Sequence, residues 1–167
     1  TCKWNDGDSY DGEWIDDFPE GTGEFIYSNG DKYVGQLKKM KKNGYGVYDY
    51  INSNRFEGEW KDDKLHKGVF LFRNGQKYDG EFDDQWVHGE GTLYFPDGHK
   101  YVGQWVHGKQ SGRGILYGAD GTIYEGEWLE GRKHGNGMYL YTNKIRFYGI
   151  WDKGICKTGT YYFVKGG

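Results

Sequence analysis

Four groups of residues in this chain have types and spacings that could do chemistry. Gly103-Gln104-Trp105-Val106-His107-Gly108-Lys109 opens like a phosphate-binding loop, but Gln110 stands where a Ser or Thr would ligate magnesium. Gly112-Arg113-Gly114 begins like a dinucleotide turn, yet no strand–helix–strand unit surrounds it. His66, His88 and His134 occupy one column of an internal repeat. Neighbouring copies of a two-strand repeat stand ~10 Å apart, whereas one zinc ion needs nitrogens at about 2.0–2.1 Å. A zinc site within the chain is therefore not expected; one bridging two chains through His or Cys156 stays open, and the bland role is capping loops by hydrogen bonds. The pairs Asp16-Asp17, Asp62-Asp63 and Asp83-Asp84 read as solvated loops rather than general acids and bases. No Gly-x-Ser-x-Gly elbow or Cys/His nucleophile pattern occurs. We expect no catalysis, no cofactor and no metal residue.

The remaining charge is informative mainly by exclusion. Net charge is −3, so the positive track needed for nucleic acid is missing. Lys38, Lys39, Lys41 and Lys42 form one basic cluster around Met40. Beside an anionic leaflet each could supply ~1 kcal/mol, although the equivalent loops elsewhere are acidic. No apolar run reaches the ~18 residues of a membrane-spanning helix, and no signal peptide is visible. Cys2 and Cys156 lie at opposite ends, about six repeats or ~60 Å apart on the same arithmetic, too far for a disulfide. The expectation is a soluble β protein of a reducing, intracellular compartment.

Composition indicates which elements must position these residues. Among 167 residues are 30 Gly, 16 Tyr, 9 Phe and 7 Trp, but only 2 Pro, and Ala119 is the single alanine. Scarce helix formers and plentiful rings favour strands. Tyr10-Asp11-Gly12-Glu13-Trp14 recurs at Tyr33, Phe56, Tyr78, Tyr101, Tyr124 and Phe147, every 22 or 23 residues. A Gly-x-Gly follows in most copies, as at Gly21 and Gly23 or Gly112 and Gly114; the third and seventh copies are one residue short. Turn pairs such as Asn29-Gly30 and Asp97-Gly98 precede the next copy.

Each unit reads as two antiparallel strands around a two-residue Asn-Gly or Asp-Gly turn. Ile15 to Thr22 and its equivalents read as a polar loop. Local connections throughout imply a meander. The strand glycines suit a large ring lying on backbone that lacks Cβ, and the Gly-x-Gly suits a bend with positive φ. A two-residue turn at Asn29-Gly30 pairs Ile26 with Tyr33 and Phe25 with Val34, which places rings on both faces. Glu13, Gln36, Glu59, Glu81, Gln104 and Glu127 form a polar column.

The repeated Y-x-G-x-W with its trailing G-x-G resembles the MORN repeat (membrane occupation and recognition nexus). The match is closest at Tyr101–Gly114 and Tyr124–Gly137; Leu37 and Phe82 replace Trp in the second and fourth copies. The resemblance covers residues 10–167: copies at 10–32, 33–55, 56–77, 78–100, 101–123, 124–146 and 147–167, with 1–9 ending a preceding half-repeat. It implies an all-β, elongated, single-layer antiparallel meander of stacked hairpins, a rod or trough. It also implies a non-catalytic scaffold or protein–protein interaction module in a cytoskeletal or ciliary assembly such as a radial spoke. The alternatives are a phosphoinositide- or membrane-associated adaptor, or a regulatory array attached to an enzyme outside this segment.

The expected partner trough is lined by Trp14, Trp60, Trp105, Trp128, Trp151, Tyr33, Tyr78, Tyr101 and Tyr124, gripping a helix or strand of another protein. The four lysines are the candidate lipid contact. Edge-to-edge pairing could also make a homo-oligomer. The expected chain is a segment of a longer protein, or one whose sheet edges a partner covers.

Overall fold

The computed structural model describes residues 1–163. Among them there are strands and turns but no helix, so the all-β antiparallel expectation holds. Two units are distinguished, Thr1–Gln85 and Trp86–Gly167. The first holds β1 (Cys2–Lys3), β2 (Ser9–Ile15), β3 (Phe18–Ile26), β4 (Lys32–Lys38), β5 (Lys41–Asp49), β6 (Arg55–Lys61), β7 (Lys64–Leu71) and β8 (Lys77–Asp83). The second holds β9 (Trp86–Tyr94), β10 (Lys100–Val106), β11 (Lys109–Tyr117), β12 (Ile123–Leu129), β13 (Arg132–Leu140), β14 (Arg146–Asp152) and β15 (Ile155–Tyr162). Within each unit every strand pairs antiparallel with its chain neighbours, and the sheet stays open.

The turn chemistry differs from the sequence expectation at both ends of the hairpins. Asn29-Gly30 belongs to a three-residue loop, Ser28-Asn29-Gly30. Tyr27 N donates to Asp31 O and Gly30 N donates to Tyr27 O, with Gly30 at φ 92°. That is a type I turn followed by a left-handed residue. The extra loop residue moves the register: Phe25 pairs Tyr33, Glu24 pairs Val34 and Ile26 pairs Lys32. Phe25, Tyr27 and Tyr33, which a two-residue turn scatters over both faces, therefore fall on one.

At the other end, the expected polar loop from Ile15 to Thr22 is mostly strand, because β3 starts at Phe18. The true two-residue turns are Asp16-Asp17 (φ 49° and 64°), Lys39-Met40 (49° and 65°) and Asp62-Asp63 (48° and 70°) in the first unit. In the second they are His107-Gly108, Glu130-Gly131 and Lys153-Gly154, again with both φ positive. This left-handed pair matches the twist of the flanking strands. Hydrogen bonds to the preceding repeat hold it, such as Met40 N to Pro19 O and Gly131 N to Gln110 O.

The ring face is the core. Tyr10, Tyr33, Phe56, Tyr78, Tyr101 and Tyr124 are almost wholly buried. Tyr10, Tyr33, Phe56, Tyr101 and Tyr124 each lie over a cross-strand pair of glycines, for example Gly103 opposite Gly114. A Cβ on Gly114 would sit 2.2 Å from the Tyr101 hydroxyl oxygen, so the expected close approach is real. Tryptophans then stack edge-on over successive rings. Trp60 lies 5.6 Å from Tyr33 and 5.1 Å from Phe56; Trp128 lies 5.1 Å from Tyr101 and 5.4 Å from Tyr124. Their indole N–H groups are satisfied by glycine carbonyls, Trp60 to Gly46 and Trp128 to Gly114. Each such ring pair adds roughly 0.5–1.5 kcal/mol beyond area burial.

Candidate functional site

The expected ring trough is filled. Tyr33, Tyr78, Tyr101 and Tyr124 are buried to within 1% exposure, and Trp60, Trp105, Trp128 and Trp151 are at most 7% exposed. They are core residues, not open anchors: Trp60, Trp128 and Trp151 each close over the rings of two repeats, and Trp105 packs edge-on against Tyr101. Trp14 alone is 39% exposed, packed on Tyr10 and Trp4.

The tyrosine hydroxyls serve the backbone. Tyr33 Oη donates to Gln36 O (2.8 Å), Tyr78 to Glu81 O (3.0 Å) and Tyr101 to Gln104 O (3.2 Å). Burial raises the Tyr33, Tyr101 and Tyr124 hydroxyl pKa values well above normal, so they stay neutral donors. The recipient carbonyl belongs to the residue facing a two-residue bulge: Gly103 pairs Gly114, but Trp105 pairs Gln110. In the two shortened repeats the bulge loses a residue. There Glu59 pairs Lys67 and Ile150 pairs Thr158, and Phe56 and Phe147 replace the tyrosine.

The polar column works on the same bulge from the opposite face. Gln36 Oε1 accepts from Tyr45 N (2.7 Å), Gln104 Oε1 from Arg113 N (2.9 Å) and Glu127 Oε1 from Asn136 N (3.1 Å). These bonds hold the Glu127 carboxyl below the usual carboxylate range. The side chains bend over the first Gly of the Gly-x-Gly; a Cβ on Gly112 (φ 69°) would lie 2.1 Å from Gln104 Oε1.

This bending leaves a strip of bare glycine backbone uncovered in the second unit. A groove of about 690 Å³ runs over Gly103, Gly114, Gly126, Gly137 and Gly149. One wall carries Val102, Ile115, Glu125, Met138 and Tyr148; the other carries Glu90, Gln104, Arg113, Glu127 and Asn136. The groove crosses six strands, β9 to β14. In the first unit Tyr45 reaches across the corresponding strip, and its hydroxyl donates to Glu57 Oε1 at 2.7 Å. The sequence signals for this face are the residues flanking each strand glycine, legible only once the register puts them on one side.

The lysine cluster divides. Lys42 is withdrawn: its side chain is 14% exposed and ion-pairs with Asp63 at 3.3 Å. Its Nζ lies 5.3–5.8 Å from the ring centroids of Tyr27, Tyr33, Tyr48 and Trp60. Lys38, Lys39 and Lys41 instead line a cleft of about 750 Å³ with Lys61, Glu59 and Asp62. The histidine column does cap one turn, since His107 N donates to His88 Nδ1 at 3.5 Å.

An open antiparallel array of hairpins that seat rings on paired glycines defines a repeat protein of stacked two-strand units. The family model of the MORN repeat matches residues 10–32, 33–55, 56–77, 78–100, 101–123 and 124–146, and the chain belongs to that family. No curated protein aligns significantly with it. Among solved structures it is similar to the TCP10 domain of Danio rerio CPAP, at 18% identity and TM-score 0.56, covering 90% of this chain and 73% of that one. It is also similar to that domain in complex with a peptide of Danio rerio STIL, at 11% identity and TM-score 0.53, covering 84% of this chain and 64% of that one. At these identities the likeness is one of fold.

Proposed function

We propose that this chain is a non-catalytic scaffold that binds a segment of a partner protein along the glycine-floored groove of its second unit, within a cytoskeletal or ciliary assembly. The observation that carries this reading is the groove itself. It is an uncovered concave strip with one largely apolar wall and one polar wall, on a framework whose repeated Tyr and Trp columns are already spent on the core. Surfaces with that division of labour suit protein recognition. The CPAP domain of the same fold has a peptide partner, which supports a peptide as occupant here. The cytoskeletal setting rests on the resemblance to MORN scaffolds and is checked by fractionation, with the chain expected in the detergent-insoluble cytoskeletal pellet.

The groove is tested by affinity purification of the wild-type chain beside an Ile115→Arg, Met138→Arg variant. The variant should lose the wild-type partner set while its circular dichroism and melting temperature hold. An unchanged partner set would reject the groove as the docking surface.

A second reading, association with anionic lipid, is favoured by one observation: Lys38, Lys39 and Lys41 gain Lys61 as a fourth cation around an open cleft. Co-sedimentation with phosphatidylserine vesicles decides it. Charge reversal of Lys38, Lys39 and Lys41 must abolish salt-sensitive binding, and Lys42→Ala must not mimic that loss.

A further inference from the structure

We infer that the groove of the second unit is built for a basic, proline-rich segment in the polyproline II conformation. This rests on the reading of that groove as a protein-docking surface and adds which chain conformation and charge it takes.

The first argument is commensurability. The groove runs across the strands, so its pattern repeats once per hairpin, every two inter-strand spacings, or ~9.6 Å. A polyproline II chain repeats every three residues at 3.1 Å each, or ~9.3 Å. A ligand in that conformation therefore presents the same side-chain position to each successive repeat. Over the six strands from β9 to β14, about 24 Å, the mismatch accumulates to about 0.75 Å, and roughly eight residues are accommodated. A β-strand ligand repeats every two residues, ~6.6 Å, and drifts out of step within one hairpin.

The second argument is width. Val102 and Gln104 flank Gly103 on one strand, as Arg113 and Ile115 flank Gly114. Rows two residues apart along a strand are separated by ~6.8 Å. A helix with side chains is about 10–12 Å across and cannot descend between them to the glycine floor. An extended chain can.

The third argument is polar matching. A polyproline II backbone bonds nothing internally and needs outside donors for its carbonyls. Gln104 has its Oε1 taken by Arg113 N, so its amide NH₂ is the group left to donate, and the Arg113 guanidinium stands in the same wall. Glu90, Glu125 and Glu127 outnumber Arg113 among the lining charges, so the occupant is cationic. Val102, Ile115 and Met138 give proline rings an apolar wall.

The test is fluorescence anisotropy on the intact chain with four labelled peptides of about nine residues: (Pro-Pro-Lys)₃, (Pro-Pro-Glu)₃, an alternating Val-Lys strand former and an Ala/Lys helix former. Amide shifts of Gly103, Gly114, Gly126, Gly137 and Gly149 are followed by NMR. (Pro-Pro-Lys)₃ should bind at least tenfold more tightly than the other three and move the glycine amides. Exposed Glu125→Lys should weaken it about tenfold and Glu125→Gln about threefold, while Lys39→Glu in the first unit should not weaken it. Equal binding of (Pro-Pro-Glu)₃, indifference to both Glu125 variants, or silent glycine amides would overturn the inference. Tighter binding of the strand or helix peptide with the same glycine shifts would also overturn it, yet leave the groove standing as a docking surface. Failure of the groove itself shows separately, as an unchanged partner set in the Ile115→Arg, Met138→Arg purification.

Discussion

The two units use one repeat and close it differently. In the first, Tyr45 and Glu57 bond diagonally across the glycine strip. In the second, the same diagonal is occupied by Arg113 and Glu125, and the strip lies open as part of the groove. The first unit places Lys42 among four aromatic rings, whereas Lys133, at the equivalent position, lies over Tyr124 and Tyr139 at 4.7 and 4.4 Å and donates to the Tyr139 hydroxyl. The first unit's two-residue turns are Asp-Asp, Lys-Met and Asp-Asp; in the second unit's His107-Gly108, Glu130-Gly131 and Lys153-Gly154, glycine takes the second place. A repeat family fixes the frame through its glycines and rings. The residues between them are then free to decide which surface is spent internally and which is offered.

The largest effect should come from the feature both units share. Gly114→Val, and equally Gly46→Val, drives a side chain into the tyrosine above it and should cost about 3 kcal/mol or more. Urea denaturation followed by tryptophan fluorescence reads this; a loss in only one unit's variant would break the equivalence. Next, Lys42→Ala should cost about 2 kcal/mol, and Lys133→Ala about half that, because a desolvated cation gains with each ring it faces. Equal losses would remove the distinction between the two cages.

Tyr101→Phe should cost about 1 kcal/mol by orphaning the Gln104 carbonyl at its two-residue bulge. Phe56→Tyr, placed where the shorter bulge pairs Glu59 with Lys67, should give no gain. A stabilising Phe56→Tyr would refute the link between hydroxyl and bulge length. Met40→Gly should stabilise the first unit by up to about 1 kcal/mol by relieving a left-handed side-chain residue, a change for which Gly108 leaves no counterpart in the second.

The smallest effect is on acid stability. Burial pushes the Asp31 carboxyl up, but hydrogen bonds from Ile51 N, Tyr48 Oη and Asn29 Nδ2 outweigh it and hold the pKa below normal. A depressed folded pKa stabilises above the unfolded value near 4 and is lost as pH falls through the folded one. Wild type should therefore lose more stability than Asp31→Asn between about pH 5 and 2. At the equivalent position of the second unit stands His99, with Nδ1 2.9 Å from Asp97, so the Asp31 term belongs to the first unit.

Much of the frame was legible from the chain. The recurrence of Tyr-x-Gly-x-Trp, the antiparallel order and the glycine seat beneath a ring all follow from residue type and spacing. The register did not. Asn-Gly suits a two-residue turn and equally a three-residue loop with a left-handed Gly, and local sequence gives nearly the same signal for both. What selects the longer loop is the burial of Phe25 beside Tyr33, a cross-strand contact. Likewise Lys39-Met40 carries no turn signature, and its conformation is imposed by the neighbouring hairpin.

The expected aromatic trough failed for the same reason. Listing rings by column shows where they recur, not whether the next repeat covers them. Sequence determined what repeats and why glycine must recur, because sterics at a bare backbone act locally. Tertiary structure decided which face is sealed by tryptophan, where Lys42 is drawn inward and where the glycine strip stays open. Burial and cross-strand pairing depend on residues some twenty positions away, whose register no single repeat specifies.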